Sequence, residues 1–221
     1  MQKYEKSWRY AAPFAVLMAL LGAGGLFHLD PGYAYSLRTI AVTAALVLCS
    51  RQLVKLRASV PLGSVLVGLA VFAVWIGPDV LWPGYRDHWL FSNSITGRAA
   101  AVHPDPGNRA LLVYFRVSGS VLLVPIVEEL FWRAWLMRWL INPEFQKVPL
   151  GTWSAQAFWI TAALFASEHG AYWEVGLAAG AIYNWWMVRT RSLADCILAH
   201  AVTNGALAAY VLLTGRWEYW L

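Results

Sequence analysis

The apolar residues of this chain come in long blocks that no Asp, Glu, Lys or Arg interrupts. Four of these blocks are 11–29, 58–78, 148–167 and 196–215. A helix of roughly 20 apolar residues crosses a bilayer core of about 30 Å, and backbone polar groups in lipid must find partners within the protein. The blocks lack the strict alternation of a membrane β-strand. The pattern therefore predicts an all-α, polytopic membrane helical bundle.

Seven crossings follow from the blocks and the polar residues between them. We predict helices at 11–29, 33–54, 59–77, 109–140, 152–168, 173–189 and 193–214, with a polar loop at 78–109. Pro125 lies inside the fourth helix, and proline kinks or breaks a helix because it has no N–H and its ring needs room. A break would raise the count to eight. The chain has no internal repeat, so one membrane domain is expected over 1–221.

The charges fit a membrane protein and do not favour a nucleic-acid partner. Charged residues are 13% of the chain, against about 25% in soluble domains. The net charge is +5, and most basic residues fall in segments 1–10, 51–57, 138–150 and 189–192. All four segments face the cytoplasm if the N-terminus does, which is the positive-inside pattern. We therefore predict a cytoplasmic N-terminus and name the bilayer as a partner.

Two adjacent carboxylates follow an apolar run in the fourth helix. Glu129 and Arg133 are four residues apart, on one helical face, in the favourable acid-before-base order. Glu128 lies about 100° around the helix and cannot share that contact equally. We expect Arg133 to hold Glu129 ionised while Glu128 faces a cavity, a division that makes one of two carboxylates a base. An interfacial charge cluster is the structural alternative.

Polar residues also interrupt the fifth and seventh apolar runs. His169 ends the fifth run, where it is either a base or ligand or an interfacial residue. With the fifth helix at 152–168, His169 falls near the outer end of its helix, away from the mid-helix Glu128. His200 and Asn204 share one face of the seventh helix. They are placed either to donate to an oxyanion or to bridge helices.

Together, three motifs on successive helices resemble the CPBP family, which comprises type II CAAX prenyl proteases and Abi proteins. They are Glu128-Glu129-x-x-x-Arg133, Phe165-x-x-x-His169 and His200-x-x-x-Asn204. The resemblance covers about 110–210, a CAAX-protease-like catalytic core. It implies an intramembrane endopeptidase in the bacterial inner membrane that cuts a hydrophobic or lipidated peptide. The context Glu168-His169-Gly170 also resembles the subgroup found with exosortase systems, which would make such a system a partner.

The resemblance also implies a role for each motif residue. Glu128 would activate water and His169 would help to orient that water. His200 and Asn204 would stabilise the oxyanion. This assignment agrees with Glu128 as the unpaired carboxylate.

In the same resemblance, Glu129 and Arg133 form the structural pair that fixes the site. We expect no cofactor and no obligatory metal, because the chain has no His-Glu-x-x-His helix. The metal-dependent alternative is zinc held by Glu128, His169 and His200.

Two other function classes stay open on the sequence. A catalytically silent scaffold or immunity protein would use the motif residues only as contacts between helices. A cation carrier would use the acids and histidines as an ion site, although the chain lacks the paired discontinuous helices typical of transporters.

Overall fold

Seven helices build the described part of the chain, residues 7–27, 30–97, 107 and 109–220 of a computed structural model. They are α1 Trp8–Phe27, α2 Pro31–Ser50, α3 Pro61–Leu81, α4 Arg109–Trp139, α5 Ala155–Ser167, α6 Trp173–Thr190 and α7 Leu193–Thr214. Short 3-10 turns lie at Tyr85–Asp87, Phe145–Lys147, Gly170–Tyr172 and Trp217–Tyr219. These residues contain no strand, so the all-α prediction is confirmed. Lys3 and Lys6 of the predicted basic N-terminus lie outside the described residues.

Four of these helices are long and apolar enough to cross a bilayer. They are α2, α3, α4 and α7. Helix α5 is apolar but has only 13 residues, which is about 20 Å at 1.5 Å per residue. A helix of that length does not reach across a hydrocarbon core of about 30 Å.

Pro125 does not break the fourth helix. Helix α4 runs through it without interruption, with π-helical turns at Gly119–Leu123 and Leu130–Leu136. The Val124 N–H bonds the Gly119 carbonyl, five residues back. Such a wide turn makes room for the proline ring and for its missing donor. The break that would give an eighth crossing is therefore not found in this helix.

Small residues bring α5 and α6 into close contact. Gly176 and Gly180 lie one turn apart on α6, and Ala162 and Ala166 lie one turn apart on α5. A Cβ added to Gly180 would come within 3.2 Å of the Ala162 backbone, and one added to Gly176 within 3.3 Å of Ala166. Small residues at this spacing let membrane helices approach closely. The contact holds α5, and His169 just after it, close to α6.

A buried carboxylate anchors the start of α3 to the start of α7. Asp195 is fully buried, and it accepts hydrogen bonds from Ser59 N at 2.7 Å, Val60 N at 2.8 Å and Ser64 Oγ at 2.8 Å. Two of these donors are backbone groups at the beginning of α3 that no helical partner can satisfy. Asp195 thus caps α3 from the neighbouring helix and sets the register between the two helices.

Gly68 is the point of closest approach between α3 and α7. A Cβ at Gly68 would clash with the Ala199 carbonyl oxygen and lie 2.7 Å from Val202 Cβ. In addition, the Gly68 carbonyl accepts a hydrogen bond from Thr203 Oγ1 at 2.8 Å. Any residue larger than glycine must therefore push away the helix that carries His200 and Asn204.

We predict that Gly68→Ala lowers the stability of the protein by about 1–3 kcal/mol, the usual cost of overpacking. Thermal unfolding of the purified protein in detergent measures this. Gly77→Ala is the matched control, since it lies on the same helix with nothing within 4 Å of its added Cβ. Equal unfolding temperatures for the two variants would contradict the close packing of α3 on α7.

Candidate active site

A fully buried ion pair lies at the centre of the bundle. Glu129 and Arg133 are both completely inaccessible, and Arg133 Nη1 lies 3.1 Å from Glu129 Oε1. The same carboxylate oxygen lies 2.9 Å from Nδ1 of His200 on α7. A carboxylate can only accept, so His200 Nδ1 carries the proton and donates it. The contact fixes the imidazole and leaves Nε2 as its second functional atom.

The other donors of Arg133 hold α6 against α4. Its Nε donates to Asn184 Oδ1 at 3.0 Å, and its Nη2 donates to the Gly180 carbonyl at 3.4 Å. Asn184 in turn donates to the Phe158 carbonyl of α5 at 2.8 Å. The guanidinium also lies over the Phe165 ring, 4.7 Å from its centroid. One side chain therefore links α4, α5, α6 and, through Glu129, α7.

Tyr183 packs on the face of the His200 ring, and its hydroxyl is itself held by a hydrogen bond. The Tyr183 ring stacks on the imidazole with centroids 5.0 Å apart. The Tyr183 hydroxyl donates to Thr203 Oγ1 at 2.7 Å, and Thr203 bonds the Gly68 carbonyl. These contacts extend the network to α3 and leave the imidazole little freedom to rotate.

His169 occupies the turn just after α5. Its Nδ1 lies 2.8 Å from the Phe165 carbonyl oxygen, which can only accept, so Nδ1 carries the proton. Trp75 of α3 packs against the ring at a centroid distance of 5.1 Å. Both contacts orient the neutral imidazole so that Nε2 remains as an acceptor. Both histidines thus donate a hydrogen bond from Nδ1, His169 to a backbone carbonyl and His200 to a carboxylate.

The loop between α3 and α4 supports the turn that carries His169. Arg86 Nη1 donates to the Ala171 carbonyl at 2.6 Å. The guanidinium also pairs with Asp79 at 2.9 Å and with Glu174 at 2.9 Å. Burial alone would lower the pKa of Arg86, but the hydrogen bond and charge of Glu174, together with Asp79, hold it above its usual value. Arg86 therefore stays charged and ties this turn to α3 and α6.

One cavity of about 290 Å³ brings the predicted catalytic side chains together, and its polar lining includes Glu128, Glu168, His169, His200 and Asn204. Glu128 is 9% exposed, and its buried Oε2 has no hydrogen-bond partner among the described residues. Glu128 and Glu129 therefore have different surroundings, one facing the cavity and one in the ion pair.

The depth of His169 differs from the expectation based on a full-length fifth crossing. Sequence reasoning put it near the outer end of its helix, away from Glu128. Because α5 has only 13 residues and a Cβ added to Gly176 would come within 3.3 Å of His169 Cβ, the histidine lies within the bundle. It lines the same cavity as Glu128 and His200.

Asn204 reaches the cavity with part of its amide already used. Its Nδ2 donates to the Ser120 carbonyl of α4 at 2.8 Å. An amide nitrogen carries two hydrogens, so one N–H is left for a ligand. The bond to Ser120 fixes the amide and couples α7 to the π turn of α4.

Within the described residues, no group of three or more His, Cys, Asp or Glu side chains is arranged to hold a metal ion. Zinc held by Glu128, His169 and His200 stays a prediction that no comparison tests.

Sequence reasoning gave no role to four polar residues of this network. They are Glu168 in the cavity, and Tyr183, Asn184 and Thr203 around His200 and Arg133. Asn184 had a recognisable signal, since it continues the four-residue spacing of Gly176 and Gly180 along α6. Glu168 adjoins His169 in sequence, but nothing in its spacing shows that it faces the cavity.

The comparisons with known proteins agree with the three motifs. Residues 110–206 match the family model described as type II CAAX prenyl endopeptidase Rce1-like. This segment contains all six predicted site residues. No curated protein and no solved structure matches the chain.

We predict that Arg133→Lys destabilises the protein although it keeps the charge. Lysine has no planar fork, so it cannot serve Glu129, Asn184 and the Gly180 carbonyl at once. Each buried acceptor left unpaired costs about 1–3 kcal/mol. Thermal unfolding in detergent measures the loss, with Arg189→Lys on an exposed site of α6 as the control. Similar stability of the two variants would show that Arg133 does not organise the site.

Proposed function

We propose that this integral membrane protein is an intramembrane endopeptidase of the CPBP family, because residues 110–206 match the model of type II CAAX prenyl endopeptidases. It hydrolyses a peptide bond of a membrane-associated protein or peptide with a water molecule that Glu128 and His169 activate. The observation that supports this proposal is the shared cavity, which joins an unpaired buried carboxylate to two oriented histidines and an amide.

Water activation belongs to Glu128 and His169 in this proposal. Glu128 Oε2 has no partner within the part of the chain that the structure describes, so it can take a proton from water. His169 Nε2 accepts a second hydrogen bond from the same water, because Nδ1–H is bonded to the Phe165 carbonyl. The water oxygen then forms a bond to the carbonyl carbon, and the carbonyl π electrons move onto oxygen. The proton on Glu128 next passes to the leaving nitrogen as the C–N bond breaks.

Oxyanion stabilisation belongs to His200 and Asn204. In this proposal His200 acts as an imidazolium, with Glu129 as the counter-ion that accepts from its Nδ1. The resulting Nε2–H and the remaining N–H of Asn204 are donors for the negative oxygen. Glu129 is thus a counter-ion as well as a support, and the two histidines differ in role because their Nδ1 partners differ in charge.

The substrate, partner and location remain proposals of the same kind. A cavity among apolar helices suits a hydrophobic or lipidated peptide that is held at the bilayer. The basic segments support a cytoplasmic N-terminus in a bacterial inner membrane. The likeness around Glu168-His169-Gly170 supports a partner from an exosortase system. No cofactor is proposed.

We predict that Glu128→Gln lowers the rate of peptide cleavage by about 10²–10⁴-fold, the usual contribution of a general base. Purified protein in detergent is mixed with a panel of lipidated and hydrophobic peptides, and mass spectrometry reports the products. The fold should be intact, because Glu128 Oε2 loses no hydrogen bond to any described residue. Turnover that survives a chelator would agree with a reaction that needs no metal.

Two further variants make this test specific. Glu144→Gln removes a carboxylate that pairs with Lys147 outside the cavity and should leave cleavage unchanged. Glu168→Gln removes the second acid of the cavity. Cleavage that is lost in Glu168→Gln and kept in Glu128→Gln would assign the base to Glu168 and overturn this mechanism. Folded protein that cuts no peptide would instead agree with a scaffold.

A further inference from the structure

Two arginines from the apolar helices α2 and α4 line the same cavity as Glu128. They are Arg38 and Arg116, and both are partly buried. A charge at bilayer depth costs several kcal/mol unless it is paired or reaches water, so such residues mark ion or ligand sites. Neither arginine belongs to the motifs, and the mechanism proposed above uses neither of them.

A tyrosine holds the two arginines together. Arg38 Cζ and Arg116 Cζ each lie 4.8 Å from the centroid of the Tyr35 ring, and Arg116 Nη1 donates to the Tyr35 hydroxyl at 2.8 Å. Thr39 Oγ1 bonds the Phe115 carbonyl at 3.4 Å, which keeps α2 against α4 at this level. The cluster is therefore built by packing and does not depend on long side chains that sample solvent.

No carboxylate of the described residues balances the positive charge of this cluster. Nε of Arg38 and Nε of Arg116 are buried and have no hydrogen-bond partner. Within the described ranges, neither guanidinium forms an ion pair with a carboxylate, whereas Arg86 and Arg133 both do. Two like charges around one neutral phenol repel each other, and an anion with two oxygens would satisfy both.

We propose that Arg38 and Arg116 form a binding site for the free C-terminal carboxylate of the peptide substrate. This inference rests on the proposed peptidase function and names the group that the enzyme recognises. A carboxylate presents two acceptor oxygens to guanidinium donors, which gives geometric selectivity as well as charge. It also removes the repulsion between the arginines, so binding is favoured only for a chain that ends inside the cavity.

The length of α4 limits how far the cut lies from that carboxylate. Arg116 precedes Glu128 by twelve residues on one helix, which is about 18 Å. An extended peptide covers this distance in about five residues. The side chains of both arginines reach into the cavity, which shortens the span. We therefore expect a released C-terminal fragment of no more than about five residues.

The test compares peptides that differ only in a C-terminal acid or a C-terminal amide. Equilibrium binding is measured with the full chain carrying Glu128→Gln, so that the result does not depend on cleavage. The acid should bind about 10- to 100-fold more tightly than the amide, the range expected for a charge-assisted contact. Adding Arg38→Gln or Arg116→Gln should bring this ratio close to one. Arg51→Gln, on an exposed site beyond the end of α2, should keep it.

The results separate this inference from the proposed function. Tight binding of the acid through the arginines, without cleavage by the parent chain, would keep the site and reject the peptidase. Equal binding of acid and amide would reject the site even if cleavage occurs, and it needs no arginine variant that must fold. Loss of phosphatidylglycerol binding in the two arginine variants, together with equal binding of the two peptides, would identify a lipid phosphate site and overturn the proposal.

Discussion

The arrangement of the site depends on the buried ion pair between Glu129 and Arg133. Both groups are completely inaccessible, and removing one partner of such a pair leaves an uncompensated buried charge. The pair is stabilised because each group has further partners, His200 on one side and Asn184 with the Gly180 carbonyl on the other. The three helices that carry these groups, α4, α6 and α7, must therefore keep their relative positions.

This constraint explains how two neighbouring carboxylates can differ. Glu129 Oε1 is held by Arg133 on α4 and His200 on α7, whereas Glu128 is turned around the helix toward a cavity and forms no ion pair within the described residues. Likewise, His200 bonds a carboxylate and His169 a carbonyl. The mechanism proposed here uses these contrasts: the groups with charged partners stabilise charge, and the groups without them move a proton.

Helical spacing within the chain predicted the helices and the local pairs, because both depend on residues close in sequence. The borders of α7 and the contact between Glu129 and Arg133 follow from such patterns. Helical spacing does not predict contacts between helices that are far apart in the sequence. The position of His169 depends on how closely the glycines of α6 pack on α5, and the unbroken path through Pro125 depends on a π turn. Tyr35, Arg38 and Arg116 meet only after α2 packs on α4.

The most direct test compares Glu128→Gln with Glu129→Gln in one purified preparation, with both unfolding temperature and peptide cleavage measured. Glu128→Gln should unfold near the temperature of the parent protein and should not cut. Glu129→Gln should unfold at a clearly lower temperature, because Arg133 and His200 lose their charged partner. A stable, inactive Glu129→Gln beside an unstable or active Glu128→Gln would contradict the assignment of Glu128 as the base and Glu129 as the structural ion-pair partner.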